Sequence, residues 1–324
     1  MRVLTLTLFA ALAASSVSAQ TKPAPPPQMP PPVVSDPGPE GSRVATGKVF
    51  ANYFAAKGAG RHPAVLLLGG SEGGLGVAAL RDAKALQAEG FAVLQLCYFG
   101  CPGTPERLFD VPLETFSQGL AWLRAQPDVD PDRIGIEGGS KGSEAALLAA
   151  TRDRRLKAVV VTMPSSVSWP GITYSAQMKP SWTEGGEPLP YLPYAFSQTS
   201  KSVFDIYNMA LPTLPQHADG VIPVERIAGP IMLVCGEADN LWPSCPMSDL
   251  IAERLKAKGR PAPIILRYAD AGHGVFGVPI DRPSPKIAAL GGTVEGNVAA
   301  RADSWPKSVA FLKAHLGLTD QPAK

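Results

Sequence analysis

The pentapeptide Gly138-Gly139-Ser140-Lys141-Gly142 constrains this chain more than any other stretch. An apolar run, Ile134-Gly135-Ile136, leads into it, and an Ala/Leu-rich segment of helical character leaves it. Strand, sharp turn and helix, with a G-x-S-x-G turn carrying the serine, make a nucleophile elbow. Such a turn forces the serine into a strained backbone conformation. Bulky side chains two residues to either side would collide with the neighbouring strand and helix. The strain lifts the Ser140 hydroxyl clear of the sheet edge. The N–H of Lys141 then sits at a helix N-terminus, ready to donate to a developing oxyanion.

The surrounding pattern alternates strand and helix. Residues 63–68 (PAVLLL) form a continuous apolar run of the kind buried in a parallel sheet. A helix is expected over 77–89, with Gly90 as its stop, then a strand over 91–97 and a helix over 113–125. The nucleophile strand (134–136) and its helix (145–150) follow, then a buried strand over 156–161. The pattern resumes with strands at 230–235 and 263–268, and helices at 249–258 and 307–315. Residues 44–56 read as an edge strand or hairpin. Strict alternation predicts an α/β fold, a doubly wound and mostly parallel sheet covered on both faces. Between 163 and 221 the alternation stops. That segment is dense in Pro, Gly, Trp and Tyr, and is expected to be an insertion over the active-site mouth. Trp169, Tyr174, Trp182, Tyr191 and Tyr194 are candidates to line a pocket, or alternatively to pack the insertion onto the body.

In such a sheet, catalytic groups gather beyond the carboxyl ends of the strands. Three of those ends carry suitable chemistry. Gly69-Gly70-Ser71-Glu72-Gly73-Gly74 lacks the G-K-[ST] ending of a phosphate loop. It occupies the position where hydrolases with this elbow place a second oxyanion N–H, from Ser71 or alternatively Glu72. Gly236-Glu237-Ala238-Asp239 offers a carboxylate, Asp239 ahead of Glu237, to orient a histidine. Ala271-Gly272-His273-Gly274 offers a general base. The chain order Ser140, Asp239, His273 is the order of this elbow.

The 324 residues carry a formal net charge of +2, which points to no nucleic-acid or acidic-polymer partner. Residues 1–19 read as a signal peptide: a basic start, an apolar run over 3–14, and the small-residue site Val17-Ser18-Ala19. Export, to a bacterial periplasm by the style of the signal, is therefore expected, with no membrane association after cleavage. Residues 20–41, centred on PAPPPQMPPP, read as an extended, solvated linker, or alternatively as a Pro-rich ligand. The catalytic domain is expected over 42–324. Export permits disulfides. The four cysteines fall in two local groups, favouring Cys97–Cys101 and Cys235–Cys245, although Cys235 also fits a small buried hydrophobe. No metal or other cofactor is expected: there is no C-x-x-C, and His62, His217 and His315 are scattered.

Several further stretches add a resemblance: GGSEGG (69–74), EGFAVLQLCYFG (89–100), VPLETF (111–116), GGSKGSEAALL (138–148), IPVERI (222–227), CGEADNLWPS (235–244), AGH (271–273) and GGTVEGN (291–297). Over residues 63–317 the sequence resembles the C-terminal catalytic domain shared by acyl-CoA thioesterases and bile-acid-CoA:amino-acid N-acyltransferases, close to dienelactone hydrolases. The resemblance implies an α/β-hydrolase fold and the triad Ser140, Asp239, His273. Larger members of that family carry a β-sandwich domain ahead of the catalytic one, where this chain has the linker and a hairpin. Their substrates are CoA thioesters of cytoplasm or organelles, which a periplasm does not hold. Amino-acid-conjugating members use Cys as nucleophile, so serine implies hydrolysis. The expected substrate is a small-molecule acyl ester or thioester. The alternatives are an idle binding protein on a hydrolase scaffold and a peptidase or lactam hydrolase. Acyl chain, leaving group and oligomeric state are left open by the sequence.

Overall fold

The computed structural model describes residues 31–172, 177–281 and 284–318. The stretch read as a signal peptide (1–19), the first half of the Pro-rich stretch 20–41, and Tyr174 lie outside the described residues.

Eight strands form the central sheet: β1 (Ser42–Thr46), β2 (Val49–Phe54), β3 (His62–Leu68), β4 (Ala92–Cys97), β5 (Val129–Gly139), β6 (Ala158–Thr162), β7 (Ile231–Gly236) and β8 (Ile264–Tyr268). Their spatial order is β8-β7-β6-β5-β3-β4-β2-β1. Only β2 runs against its neighbours; the other pairings are parallel. Two-sided burial explains why the central strands read as unbroken apolar runs. In β3, Leu66 and Leu68 enter one core while Val65 and Leu67 enter the other; β6 divides in the same way. Helices α2 (Glu114–Arg124), α3 (Lys141–Arg152) and α5 (Ser244–Ala257) cover one face. Helices α1 (Val77–Ala88) and α6 (Val294–Leu316) cover the other. This is an α/β-hydrolase fold.

Three expectations are corrected. The last helix starts at Val294 rather than 307, because Thr293 caps it by accepting from the Gly296 N–H, and the helix continues through Pro306. Pro306 removes one backbone bond and reads locally as a break, yet Trp305, Val309 and Leu312 seat the whole segment on the sheet. Helix α5 likewise starts at Ser244 rather than 249.

The second correction concerns the linker. Its last residues are paired to the body of the fold rather than running free. Val33–Val34 pair in parallel with Gly74–Leu75. The Ser35 carbonyl accepts from Arg43 and from the buried Asn52. The two valine side chains stay exposed, so backbone hydrogen bonds rather than burial hold this stretch.

The third concerns residues 163–221. Helix α4 (Val203–Ala210) is capped by a reciprocal Ser202–Asp205 pair, and Trp182–Glu184 joins a small sheet with Val111–Pro112. Trp169 and Trp182 are fully buried, the former edge-on to Tyr207, the latter against Tyr98 and Phe116. The Tyr194 hydroxyl donates to the Pro170 carbonyl. These side chains, with Tyr191, do not line the cavity at Ser140. Among the described residues of this segment, Met163 alone lines that cavity. Large aromatic rings gain more by packing than by facing a wet cleft.

Candidate active site

Strand β5 ends at Gly139 and α3 begins at Lys141, leaving Ser140 alone to turn the chain. Its backbone takes φ 56°, ψ −124°, a left-handed conformation that costs about 1–3 kcal/mol in a non-glycine residue. The flanking glycines are forced. A Cβ on Gly138 would stand 2.1 Å from the Gly142 carbonyl oxygen, and one on Gly142 would stand 2.3 Å from that of Gly69. The Ser140 N–H, donating to the Thr162 carbonyl at 2.9 Å, pins the turn to β6.

Two loops bring the partners to this serine. Asp239 follows β7 and His273 follows β8; both are buried, at 5 % and 8 % exposure. His273 Nδ1 lies 2.9 Å from Asp239 Oδ2, and Nε2 lies 3.0 Å from Ser140 Oγ. The carboxylate is acceptor-only, so Nδ1 carries the proton and Nε2 presents its lone pair to the serine hydroxyl. Asp239 is held by more than the histidine. Its Oδ1 accepts from the Leu241 and Trp242 N–H groups, and Oδ2 accepts from Ser244 Oγ at 2.8 Å. Glu237, the other carboxylate of that loop, faces Arg267 at the surface.

The loop bearing His273 is held from α6. Asn297, fully buried, accepts from the Gly272 N–H at 3.1 Å and donates to the Gly291 and Thr293 carbonyls. Gly291 and Gly292 in turn bridge to Asp239 and Ala271. The GGTVEGN stretch is therefore a clamp across both loops. In the sequence this stretch carries only the family resemblance, because the clamp depends on α6 starting at Val294.

Ser140, His273, Ser71 and Glu72 line one cavity of about 530 Å3. The Lys141 and Ser71 N–H groups have no hydrogen-bond partner among the described residues. Glu72 folds back, its carboxylate accepting from the Gly70 N–H at 3.0 Å. Tyr98 Oη donates to the Gly69 carbonyl, fixing the base of the loop. Among the described residues no group of His, Cys, Asp and Glu is arranged to hold a metal ion.

Residues 111–318 match the family described as BAAT / Acyl-CoA thioester hydrolase C terminal, well over half of the chain. The chain belongs to this family. Acyl-coenzyme A thioesterase 6 of Mus musculus is 29 % identical over 297 residues, covering 87 % of this chain and 66 % of that protein. The chain thus spans just under two thirds of the relative's length. Among solved structures, a puromycin-hydrolysing peptidase of Mycobacterium tuberculosis superposes with a TM-score of 0.57 at 19 % identity, covering 88 % of this chain and 40 % of that one. A thermostable carboxylesterase cloned from a metagenomic library gives 0.51 at 19 % identity, with 87 % and 88 % covered. These likenesses carry the fold.

Within this BAAT-type domain, two features were not read from the sequence. The Lys141 side chain is buried on the far side of the elbow. Its Nζ donates to Glu144 Oε2 at 2.7 Å and to Ser181 Oγ at 2.8 Å. Glu144 Oε1 accepts from the Trp169 N–H and from Trp182 Nε1. Burial pushes the Lys141 ammonium down and the Glu144 carboxyl up, while their mutual contact opposes both shifts. This network ties the insertion to helix α3. The i, i+3 spacing of Lys141 and Glu144 was a visible signal, normally one for a solvated helix face. The second feature is Glu137, buried in mid-strand at 3 % exposure, which no local pattern marks as special.

The four cysteines are paired as Cys97–Cys101 and Cys235–Cys245. The second bridge closes the loop that carries Asp239. The first packs against Leu75, beside the Gly69–Gly74 loop.

Proposed function

We propose that this chain is an exported serine hydrolase that cleaves an acyl ester or thioester through an acyl-enzyme intermediate. The observation that carries the reading is the unbroken relay from Asp239 through His273 to Ser140 Oγ, at 2.9 and 3.0 Å. Ser140 Oγ attacks the substrate carbonyl carbon as its proton passes to His273 Nε2. The Lys141 and Ser71 N–H groups receive the oxyanion, where each donor is worth about 10²–10³-fold in rate. His273 gives the proton to the leaving oxygen or sulfur, and the acyl group stays on Ser140. Water then attacks that ester as His273 Nε2 takes its proton. The acid departs and Ser140 regains its hydrogen.

Residues 42–324 act as one catalytic domain in this reading, with 163–221 as its insertion. Export rests on residues 1–19, and is consistent with cysteines that are all bridged. It favours an ester, or a thioester other than acyl-CoA, as substrate. The relatives' printed activity supports the chemistry; the compartment argues against carrying over their substrate.

The test is labelling with a fluorophosphonate, followed by turnover of p-nitrophenyl esters, acyl-CoAs and peptide amides. An adduct on Ser140, and loss of at least about 10³-fold of kcat in Ser140→Ala, are expected. An unlabelled, inactive wild-type protein leaves the idle scaffold as the reading, and faster amide than ester cleavage makes it a peptidase.

A further inference from the structure

Below Ser140 the cavity runs down between the sheet and helices α1 and α6, walled by Leu67, Ala79 and Phe276. An acyl pocket built only for hydrocarbon would be apolar to its floor. Here the floor holds a carboxyl group. Glu137 points from β5 between its register partners Leu67 and Val160, and its Oε2 is buried with no hydrogen-bond partner. Asp82 of α1 and Arg301 of α6 line the same cavity, as do Glu72 and Lys286. Asp82 Oδ1 accepts from the Val278 N–H, and Arg301 Nε donates to the Gly274 carbonyl.

A buried carboxyl without a partner is a standing penalty to the fold, and nothing in the relay uses it. A bound molecule that hydrogen-bonds to it would relieve that penalty. Glu137 lies on β5, three residues before the Ser140 turn and roughly 10 Å along the chain, which is within reach of a medium-length acyl chain. We infer that the floor formed by Glu137, Asp82 and Arg301 recognises a hydroxyl group on the acyl part of the substrate, so that a hydroxyacyl ester is preferred over the plain acyl ester. This deepens the hydrolase reading and rests on it.

The charges on the floor choose the group. Burial, and secondarily the neighbouring Asp82, push the Glu137 carboxyl up to about 8, so at neutral pH it is mostly protonated and can donate as well as accept. Arg301 offsets the remaining Asp82 charge. A floor balanced in this way repels neither sign but satisfies neither; it fits a neutral group that both donates and accepts, which is what a hydroxyl is. Sites built to hydrogen-bond a hydroxyl reject the analogue lacking it far more strongly than an apolar pocket rejects an added one.

The probes are ethyl 6-hydroxyhexanoate and ethyl hexanoate, which differ only in the terminal hydroxyl. Wild-type kcat/KM is expected to favour the hydroxy ester by at least about 10-fold. Glu137→Leu should abolish or invert that ratio, and Glu137→Gln, which keeps the hydrogen bonding, should retain it. A wild-type ratio near one, or the same ratio in Glu137→Leu, overturns the inference. Calorimetric titration of both esters into Ser140→Ala reads recognition without turnover. A binding preference there, lost in the Glu137→Leu double variant, upholds the floor as a hydroxyl site even if the wild type cleaves neither ester, in which case the hydrolase reading alone fails. Equal binding of the two esters overturns the inference even if both are cleaved. The wild-type and Ser140→Ala comparisons decide the matter should the leucine variant not fold.

Discussion

Asn297 and Gly272 are joined by a hydrogen bond of 3.1 Å from the Gly272 N–H to the Asn297 side chain, one residue before His273. The same amide group donates to the Gly291 and Thr293 carbonyls, so one buried side chain holds the histidine loop against the cap of α6. The His273 loop is thus positioned by a residue 24 places further along the chain.

Asn297→Ala should therefore damage catalysis without touching a reacting group. It leaves one N–H and two carbonyls without this partner, at about 1–3 kcal/mol of stability. A fall in kcat of roughly 10–100-fold, with KM little changed, is expected if His273 loses its aim. Asn297→Asp, which can still accept from Gly272, should lie between. Steady-state kinetics beside a urea melt separates the two effects. Unchanged kcat in a folded Asn297→Ala protein contradicts the positioning role.

Glu144 is expected to matter to the fold rather than the chemistry. Glu144→Gln leaves the Lys141 ammonium buried beside a neutral amide, and loss of about 3–5 kcal/mol follows for a broken buried pair. Replacing both residues by Met should restore much of that, because no uncompensated charge remains. Chemical denaturation of the single and double variants checks this. A Glu144→Gln protein within about 1 kcal/mol of wild type is the contrary result.

Removal of the Cys235–Cys245 bridge, by Cys235→Ala with Cys245→Ala, should cost about 2–4 kcal/mol. It should also lower kcat, because the freed loop carries Asp239 and Ser244. The corresponding pair at Cys97 and Cys101 closes a shorter loop and should cost less stability. Melting temperature and activity, measured oxidised and after reduction, test the ranking.

Glu137 should impose a pH dependence on stability. Its carboxyl is raised from the ordinary 4.5 to about 8 in the folded state. The folded protein therefore holds this proton more tightly than the unfolded chain does. That contribution is fully present below about 4.5 and is lost as pH rises through about 8. Relative to Glu137→Gln, wild type should lose on the order of a few kcal/mol across that window. Parallel denaturation curves from pH 4 to 9 measure the difference. A flat difference removes the assignment.

Much of this was legible from local patterns. Alternating apolar runs and turn residues announce a parallel sheet, because each strand and each stop is a short-range matter. The glycines around Ser140, and a histidine and an aspartate each just past a strand end, carry their meaning in a few neighbouring residues. Pro306 misled for the same reason: read locally it breaks a helix, and only the sheet beneath keeps α6 whole. The aromatic residues of 163–221 were visible, but not the direction they face.

The sequence by itself indicated the fold class and the chain order Ser140, Asp239, His273, and favoured the two local cysteine pairs over the other pairings. The tertiary structure alone decided that Asn297 clamps the His273 loop, that Lys141 turns inward to Glu144, that residues 33–34 dock on the Gly74 edge, and that Glu137 sits under the serine. The physical reason is range. Secondary structure and turns are set within about a dozen residues, whereas a buried polar group acquires its partner, or lacks one, only when strands distant in sequence become neighbours.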